Sequence, residues 1–234
     1  MFYFDPWYLI LVALPGMLIA GGASLMVRAA FGRYSRVPSR RGITGAQAAR
    51  MMLDRAGVTG VEIVPTHGYL SDHYNPMTKQ LALSDAVYAD SSLAAIGVAC
   101  HEAGHAIQHA QGYVPLWLRS AIVPLAGIGS NLGYLVMGLG VVLNSPWTVL
   151  IGVGLFSGVL LFQIVTLPVE FDASARAKRL AVDYGIVSAD ERGAVATVLN
   201  AAAMTYVAAV VSSLLTVVYY LWRAGLLGGR SNDE

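Results

Sequence analysis

Four long stretches without a charged residue constrain the fold of this chain more than any other feature. They run from Trp7 to Val27, from Ala121 to Leu143, from Trp147 to Leu167 and from about Ala201 to Trp222. A helix needs about 20 mostly apolar residues to cross a bilayer. The sequence therefore predicts four transmembrane helices, and the short segment 144–146 predicts a tight hairpin between the second and the third.

Composition excludes several other classes of protein. Of the 234 residues, 56% are hydrophobic and 12% are charged, whereas a soluble domain has roughly 45–50% apolar and about 25% charged residues. The same balance excludes intrinsic disorder. A net charge of +1 gives no basic field that would hold a nucleic acid. The single cysteine, Cys100, excludes an intramolecular disulfide.

The distribution of Lys and Arg predicts how the chain crosses the membrane. Segments 28–120 and 168–200 contain 9 and 4 of the 15 basic residues. Cytoplasmic loops are enriched in Lys and Arg, so we expect both segments in the cytoplasm and both termini outside. No basic residue precedes the first stretch, which follows Asp5. A signal peptide has a basic start, so we expect this helix to be retained.

The first polar segment has signals of regular structure. Thr44 and Gln47 form a capping box that predicts a helix, which ends before Gly57. Residues 61–64 predict a short strand. Residues 69–74 and 79–83 predict a β-hairpin around the turn dipeptide Asn75-Pro76. We also considered that the strand 79–83 pairs with an extended substrate through its backbone edge.

Three further helices follow from the same kind of signal. An alanine-rich helix is predicted from about Asp90 or Ser91 to Gln111, beside the membrane. Residues 169–182 predict a helix that Gly185 ends. Ser188 and Glu191 form a second capping box, which predicts a helix continuing into the fourth apolar stretch. We expect residues 228–234 to be a frayed tail.

The sequence His101-Glu102-Ala103-Gly104-His105 lies on the alanine-rich helix and predicts a metal site. Residues at positions i and i+4 share a helix face, so both imidazoles can bind one metal ion. Glu102 lies one residue around the helix, where its carboxylate can meet a metal-bound water. Zinc lowers the pKa of such a water toward 7. We therefore predict that Glu102 accepts its proton and passes it to a leaving amine.

A catalytic zinc needs a third protein ligand. His109 lies about 12 Å along the helix from His101, at 1.5 Å per residue, which is too far for one ion. A third histidine six residues after His105 would be needed for the metzincin pattern, and that position is Gln111. Glu170 follows the third apolar stretch, and the hairpin returns it to the end where the zinc helix lies. An ionisable residue there is a candidate for function.

Together these motifs identify a resemblance. The segments His101–Gln108, Leu167–Ser174 and Leu70–Pro76 resemble the YugP-like family of bacterial membrane zinc metallopeptidases, over about residues 31–206. That family is similar to gluzincin peptidases of the HtpX and CAAX-prenyl-protease type, which use two His and one Glu to bind zinc. The resemblance implies Glu170 as third ligand and a location in the bacterial inner membrane. In the HtpX-type pattern an Asp lies four residues after the ligand Glu, at the position where this chain has Ser174. We therefore expect either Ser174 or Asp172 to orient a ligand histidine.

Weaker candidates would support the transition state, which needs a hydrogen-bond donor besides zinc. They are His73, Tyr74, Arg176 and Tyr206. We expect Cys100, beside the first histidine, to be a buried thiol.

We therefore predict a mainly α integral membrane protein. It has four transmembrane helices and a cytoplasmic zincin-like α+β domain with a small β-hairpin. Its predicted function is that of a zinc endopeptidase with one Zn²⁺ per chain, acting on protein or peptide substrates at the cytoplasmic membrane surface. A site-2-type intramembrane protease is disfavoured because no Leu-Asp-Gly motif occurs. The alternative from another class is a non-catalytic zinc-binding membrane scaffold or partner subunit.

Overall fold

The computed structural model describes residues 5–68 and 70–227. Tyr69, the predicted first residue of the hairpin, and the predicted frayed tail 228–234 lie outside the described residues. In chain order the elements are α1 (Pro6–Tyr34), α2 (Gly45–Arg55), β1 (Glu62–Thr66), β2 (His73–Asn75), β3 (Gln80–Ser84), α3 (Asp85–Tyr88), α4 (Leu93–Ala110), α5 (Val114–Val142), α6 (Pro146–Asp183) and α7 (Arg192–Arg223).

The chain divides into two compact units. Of the described residues, the first unit contains 5–22, 118–167 and 205–227, and the second contains 23–68, 70–117 and 168–204. Helices α1, α5, α6 and α7 are long and apolar enough to cross a membrane. The expectation of a mostly helical protein with four long apolar helices is therefore confirmed.

In the first unit, α5 and α6 form the predicted tight hairpin. Asn144 adopts a positive φ of 49° in the turn, and α6 begins at Pro146. Small residues let the two backbones approach closely. A Cβ atom added at Gly140 would lie 2.5 Å from the backbone nitrogen of Val149, and Gly152 makes an equally close approach to Met137. Such packing is common where lipid removes the hydrophobic driving force between helices.

Helix α6 differs from the sequence prediction. The predicted separate helix 169–182 is instead the C-terminal part of a single 38-residue helix that continues through Pro168. Proline removes one backbone donor but is tolerated inside such helices. Gly185, with φ of 62°, follows the end of the helix as predicted.

The predicted capping box before α7 forms only in part. The backbone nitrogen of Ser188 donates to Oε2 of Glu191 at 2.8 Å, and so does its hydroxyl. The backbone nitrogen of Glu191 donates to the carbonyl oxygen of Ser188 at 3.0 Å rather than to its hydroxyl, and α7 begins at Arg192, three residues after the first helical position that a capping box at Ser188 predicts. From there it continues without a break into the fourth apolar stretch, as predicted.

The second unit contains a three-stranded sheet with strand order β1-β3-β2. Strands β2 and β3 are antiparallel, which confirms the hairpin, and β1 pairs with β3 in parallel. The prediction that strand 79–83 offers a free backbone edge to a substrate is wrong, because β3 is the central strand. The residues that predict the hairpin do not predict the parallel pairing of β3 with β1, since that pairing joins segments separated in sequence.

Helix α4 lies in the core of the second unit and packs against α2. Its N-cap is Ser92, whose hydroxyl accepts from the backbone nitrogen of Ala95 at 3.2 Å, rather than the predicted Asp90 or Ser91. Asp90 instead accepts from the backbone nitrogen of Ser92. Half of the 18 residues of α4 are Ala, Gly or Cys, which lets neighbouring elements approach its backbone closely. The capping box at Thr44 and Gln47 that begins α2 is present as predicted.

Candidate metal centre

Three predicted residues converge within the second unit. Nε2 of His101 lies 3.2 Å from Oε2 of Glu170, and Nε2 of His105 lies 3.6 Å from the same oxygen. Their potential ligand atoms all lie within 4.8 Å of one another. His101 and His105 share a face of α4, and Glu170 is presented by α6. Glu170 is 2% exposed, so this carboxylate is almost fully removed from water.

A glycine allows the two helices to approach at this point. A Cβ atom added at Gly104 would lie 2.9 Å from the carbonyl oxygen of Ala173 on α6. Real Cβ atoms essentially never come so close to backbone, so only glycine fits without a shift of α6. Ala173 lies between Glu170 and Ser174, and the close approach therefore brings both of these side chains onto the histidine pair.

The second nitrogen of each imidazole also has a partner. Nδ1 of His101 lies 3.1 Å from the hydroxyl oxygen of Ser174, and Nδ1 of His105 lies 3.0 Å from Oε1 of Gln108. When Nδ1–H donates to these oxygens, Nε2 carries the free lone pair. A partner of this kind fixes both the tautomer and the orientation of a ligand histidine.

Gln108 belongs to a buried hydrogen-bond network. Its Nε2 donates to the carbonyl oxygen of Val169 and to Oδ2 of Asp172, each at 2.8 Å. Because both acceptors bind the amide nitrogen of Gln108, the amide oxygen Oε1 must be the atom that faces His105. Arg176 in turn donates through Nε to Oδ2 of Asp172. Ser174 thus contacts His101 directly, whereas Asp172 reaches His105 only through Gln108.

Gln108 was not predicted as a site residue. It lies three residues after His105, a spacing that places two side chains on neighbouring positions of a helix. That spacing could have indicated Gln108 as a partner of His105, but glutamine is mostly exposed in proteins. Here Gln108 is fully buried.

Glu102 and His105 interact electrostatically. Glu102 is 8% exposed and lies next to the histidine pair on α4. Burial lowers the pKa of His105, but contact with Glu170 and the negative charges of Glu102 and Glu170 raise it, and the net effect is a raised pKa.

The other sequence-predicted residues have different partners. The Tyr74 hydroxyl lies 2.8 Å from Nδ1 of His109, and Nδ1 of His73 lies 2.8 Å from the carbonyl oxygen of Ser71. Neither contact involves the three clustered residues. Tyr206 belongs to the first unit. Cys100 is fully buried, as expected, and burial raises the pKa of its thiol to about 12.

The donor set fits zinc. Two neutral imidazole nitrogens and one carboxylate oxygen are the protein ligands of a large class of catalytic zinc sites, which leave a fourth position open. The imidazoles offer Nε2 because Ser174 and Gln108 occupy both Nδ1 atoms. The described residues His101, His105 and Glu170 are therefore chemically able to hold one Zn²⁺.

Comparison with known proteins agrees with this geometry. Residues 8–225 match the model of a family described as "Putative neutral zinc metallopeptidase". The chain is also 42% identical over 199 residues to "Putative membrane protease YugP" of Bacillus subtilis (strain 168), covering 85% of this chain and 88% of the relative. No solved structure matches it. The match to the family model and the similarity to the Bacillus protein both cover most of the chain, and the chain therefore belongs to this family of zinc metallopeptidases.

Proposed function

We propose that this chain is a membrane-embedded zinc endopeptidase of the gluzincin type that hydrolyses peptide bonds of protein substrates. The observation that carries the proposal is the convergence of His101, His105 and Glu170, whose ligand atoms lie within 4.8 Å of one another. Glu102 adds a carboxylate beside them. The family match and the membrane protease relative support the same reaction class.

In this proposal His101 and His105 bind one Zn²⁺ through Nε2, and Glu170 binds it through a carboxylate oxygen. A zinc ion held by such ligands supplies Lewis acidity, which polarises a peptide carbonyl and lowers the pKa of water. The carboxylate of Glu170 contributes the one negative charge among the three ligands.

Glu102 acts as the general base and acid. Its carboxylate accepts a proton from the attacking water and then donates that proton to the amine that leaves. A positioned carboxylate of this kind accelerates a reaction by roughly 10²–10⁴-fold. Glu102 is largely shielded from bulk water, at 8% exposed, which favours proton transfer to the substrate over exchange with solvent.

Ser174, Gln108 and Asp172 hold the imidazoles in position. Ser174 accepts from Nδ1 of His101, and Gln108 accepts from Nδ1 of His105 while Asp172 holds the amide. Arg176 serves this network through Asp172, so we assign it a positioning role.

Tyr74 is our proposed hydrogen-bond donor to the transition state. Its hydroxyl lies 2.8 Å from Nδ1 of His109. His109 is one helical turn beyond His105 on the same face of α4. His73 is exposed on the neighbouring position of β2, and we give it no role.

We further propose that the metal centre acts at the cytoplasmic surface of a bacterial inner membrane, with both termini outside. This proposal rests on the basic residues of segments 28–120 and 168–200. Four apolar helices provide the membrane anchorage.

The test combines metal analysis of the purified protein with cleavage of a peptide library. The wild type should contain one zinc per chain and cleave some library members, whereas Glu170→Gln should lose most of the zinc and the cleavage. Glu62→Gln, the same change at an exposed residue of β1, is the matched control. A wild type that holds one zinc firmly and cleaves nothing would favour the scaffold alternative.

A further inference from the structure

A second feature of the second unit is a basic cavity of about 640 Å³ at the end of α4, the C-terminal part of α6 and the start of α7. Of the described residues that line it, one is acidic, Asp172. The cationic residues that line it are Arg176, Lys178, Arg179 and Arg192. This volume is in the range of sites that bind small molecules.

The part of the cavity wall that α6 contributes lies away from the metal centre. Asp172, Ala175, Arg176 and Arg179 are spaced i, i+3, i+4 and i+7, which places them on one face of the helix. At 3.6 residues per turn, Glu170 lies on the opposite side of α6, where it contacts the histidine pair. An occupant of the cavity is therefore bound independently of the metal.

The charges of the cavity are unbalanced. Four cations against one carboxylate leave an excess of three positive charges. Arg176 is paired with Asp172, because its Nε lies 2.5 Å from Oδ2 of the carboxylate. The excess therefore comes from the other three cations.

Those three cations have no anionic partner in the protein. Within the part of the chain that the structure describes, no carboxylate forms an ion pair with Lys178, Arg179 or Arg192. Lys178 donates instead to the neutral amide oxygen of Asn200 at 2.9 Å, and the positive charges of Lys178 and Arg192 repel each other. A concave surface with one sign of charge attracts ligands of the opposite sign. An anion bound here would relieve the repulsion.

The donors of the cavity suit a phosphate group. Guanidinium groups bind phosphate oxygens through pairs of N–H donors, and an ammonium group adds a point charge. Helix α7 begins at Arg192, and the start of a helix adds positive partial charge that favours phosphate. A phosphate monoester carries about −1.5 to −2 charges, so it offsets more of the excess than a carboxylate does.

The position of the cavity along the chain favours a water-soluble compound over a lipid headgroup. Arg176 lies nine residues after the apolar stretch that ends at Leu167, and Arg192 lies nine residues before the stretch that begins at about Ala201. Nine helical residues span roughly 13 Å, whereas the polar layer on each side of a bilayer is roughly 5–8 Å thick. We therefore expect lipid phosphates to fall short of the cavity.

We propose that this cavity binds the phosphate group of a water-soluble compound, with Lys178, Arg179 and Arg192 as its cationic ligands. Arg179 and Arg192 are both exposed, so their guanidinium groups are accessible to such a compound. The proposal does not depend on the proposed peptidase function.

The experiment uses inorganic phosphate as the probe. It is titrated calorimetrically into the full chain in a neutral detergent, with sodium chloride holding the ionic strength constant so that general screening does not change. The wild type should bind phosphate saturably. Arg179→Gln together with Arg192→Gln should bind it roughly tenfold more weakly or not at all, because two charged partners are lost.

The matched control is the double variant Arg36→Gln and Arg55→Gln, which makes the same change in net charge at exposed positions that do not line the cavity. It should bind phosphate as the wild type does. Zinc content should be the same in all three proteins, which checks that the substitutions leave the metal centre folded.

Three outcomes would overturn the proposal. The first is a wild type that shows no saturable binding of phosphate. The second is binding that survives unchanged in the variant at Arg179 and Arg192, which is the result expected if phosphate binds the zinc ion instead. The third is binding of phosphatidylglycerol in lipid nanodiscs that depends on these two arginines while free phosphate does not bind.

Discussion

Gln108 holds the imidazole of His105 at Nδ1, because this nitrogen lies 3.0 Å from Oε1 of the amide. The amide cannot rotate freely, since its nitrogen donates to two acceptors on the other side. Glutamine thus occupies the place where many metal sites have a carboxylate or a backbone carbonyl. A neutral acceptor of this kind orients His105 without adding a further negative charge to the site.

The first prediction concerns this contact. Gln108→Met keeps a similar side-chain volume but removes the acceptor for His105 and the donor for Asp172. Partners of this kind contribute about 10–100-fold to metal affinity, so zinc affinity should fall by about that factor. Competition with a chelator measures it. Gln80→Met, the same change on β3, where the amide donates to the exposed Glu62 rather than to the network at the metal centre, should leave the affinity unchanged. Equal zinc affinity in wild type and Gln108→Met would show that the contact does not orient His105.

The second prediction concerns the close approach of α4 and α6. Gly104→Ala places a methyl group 2.9 Å from the carbonyl oxygen of Ala173, and insertion into a packed contact costs about 1–3 kcal/mol. The helices must separate, so the melting temperature and the zinc content should both fall. Gly193→Ala, in α7 with open space around it, should be neutral or slightly stabilising. If Gly104→Ala behaved like that control, the close approach would not be needed for the site.

Parts of this arrangement could be predicted from the sequence, and their physical reasons differ. The i, i+4 spacing of His101 and His105 gives their shared face directly. Glu170 could be proposed because the hairpin of two apolar helices returns the chain to the same end, and the resemblance to the YugP-like family supported it. These inferences need only helix geometry and the order of the apolar stretches.

Other parts required the three-dimensional structure. The contact of Ser174 with His101 and the route from Asp172 through Gln108 depend on the rotation of α6 about its axis, which sequence spacing does not fix. The central position of β3 depends on a parallel pairing with β1 across a loop. Sequence patterns predict a strand but give little information about its non-local partner.

The third prediction concerns pH and Glu191, in the second unit. Burial raises the pKa of Glu191, but hydrogen bonds from the backbone nitrogens of Ser188 and Arg40 lower it, and the net effect is a lowered pKa. A lowered pKa in the folded state stabilises the fold above the unfolded value of about 4.5. That contribution is lost as the pH falls below this value through the folded pKa.

Glu191→Gln should therefore reduce the melting temperature at pH 7, and the difference from wild type should shrink as the pH falls below about 4.5. Hydrogen bonds to charged groups contribute roughly 1.5–3 kcal/mol. Thermal melts of the two proteins across the pH range measure the difference, with Glu62→Gln as a control at an exposed carboxylate. A difference that stays constant at acidic pH would contradict this role of the ionised carboxylate.

The fourth prediction concerns the orientation in the membrane. A thiol reagent that cannot cross the membrane should label Ser145→Cys in intact cells and should not label Ser71→Cys. Native Cys100 should give little background, because burial raises the pKa of its thiol to about 12. After the cells are opened, Ser71→Cys should become labelled, which controls for its accessibility. Labelling of Ser71→Cys alone in intact cells would reverse the proposed topology.

The central claim is that Glu102 transfers the proton during peptide hydrolysis. Turnover of one cleavable peptide by Glu102→Gln, with zinc content measured on the same samples, tests it most directly. The amide keeps the size of the side chain but cannot accept a proton as a carboxylate does. Zinc content should therefore stay at the wild-type level while turnover falls by roughly 10²–10⁴-fold. His101→Ala should instead lose both zinc and turnover. Wild-type turnover in Glu102→Gln would contradict the proposed mechanism.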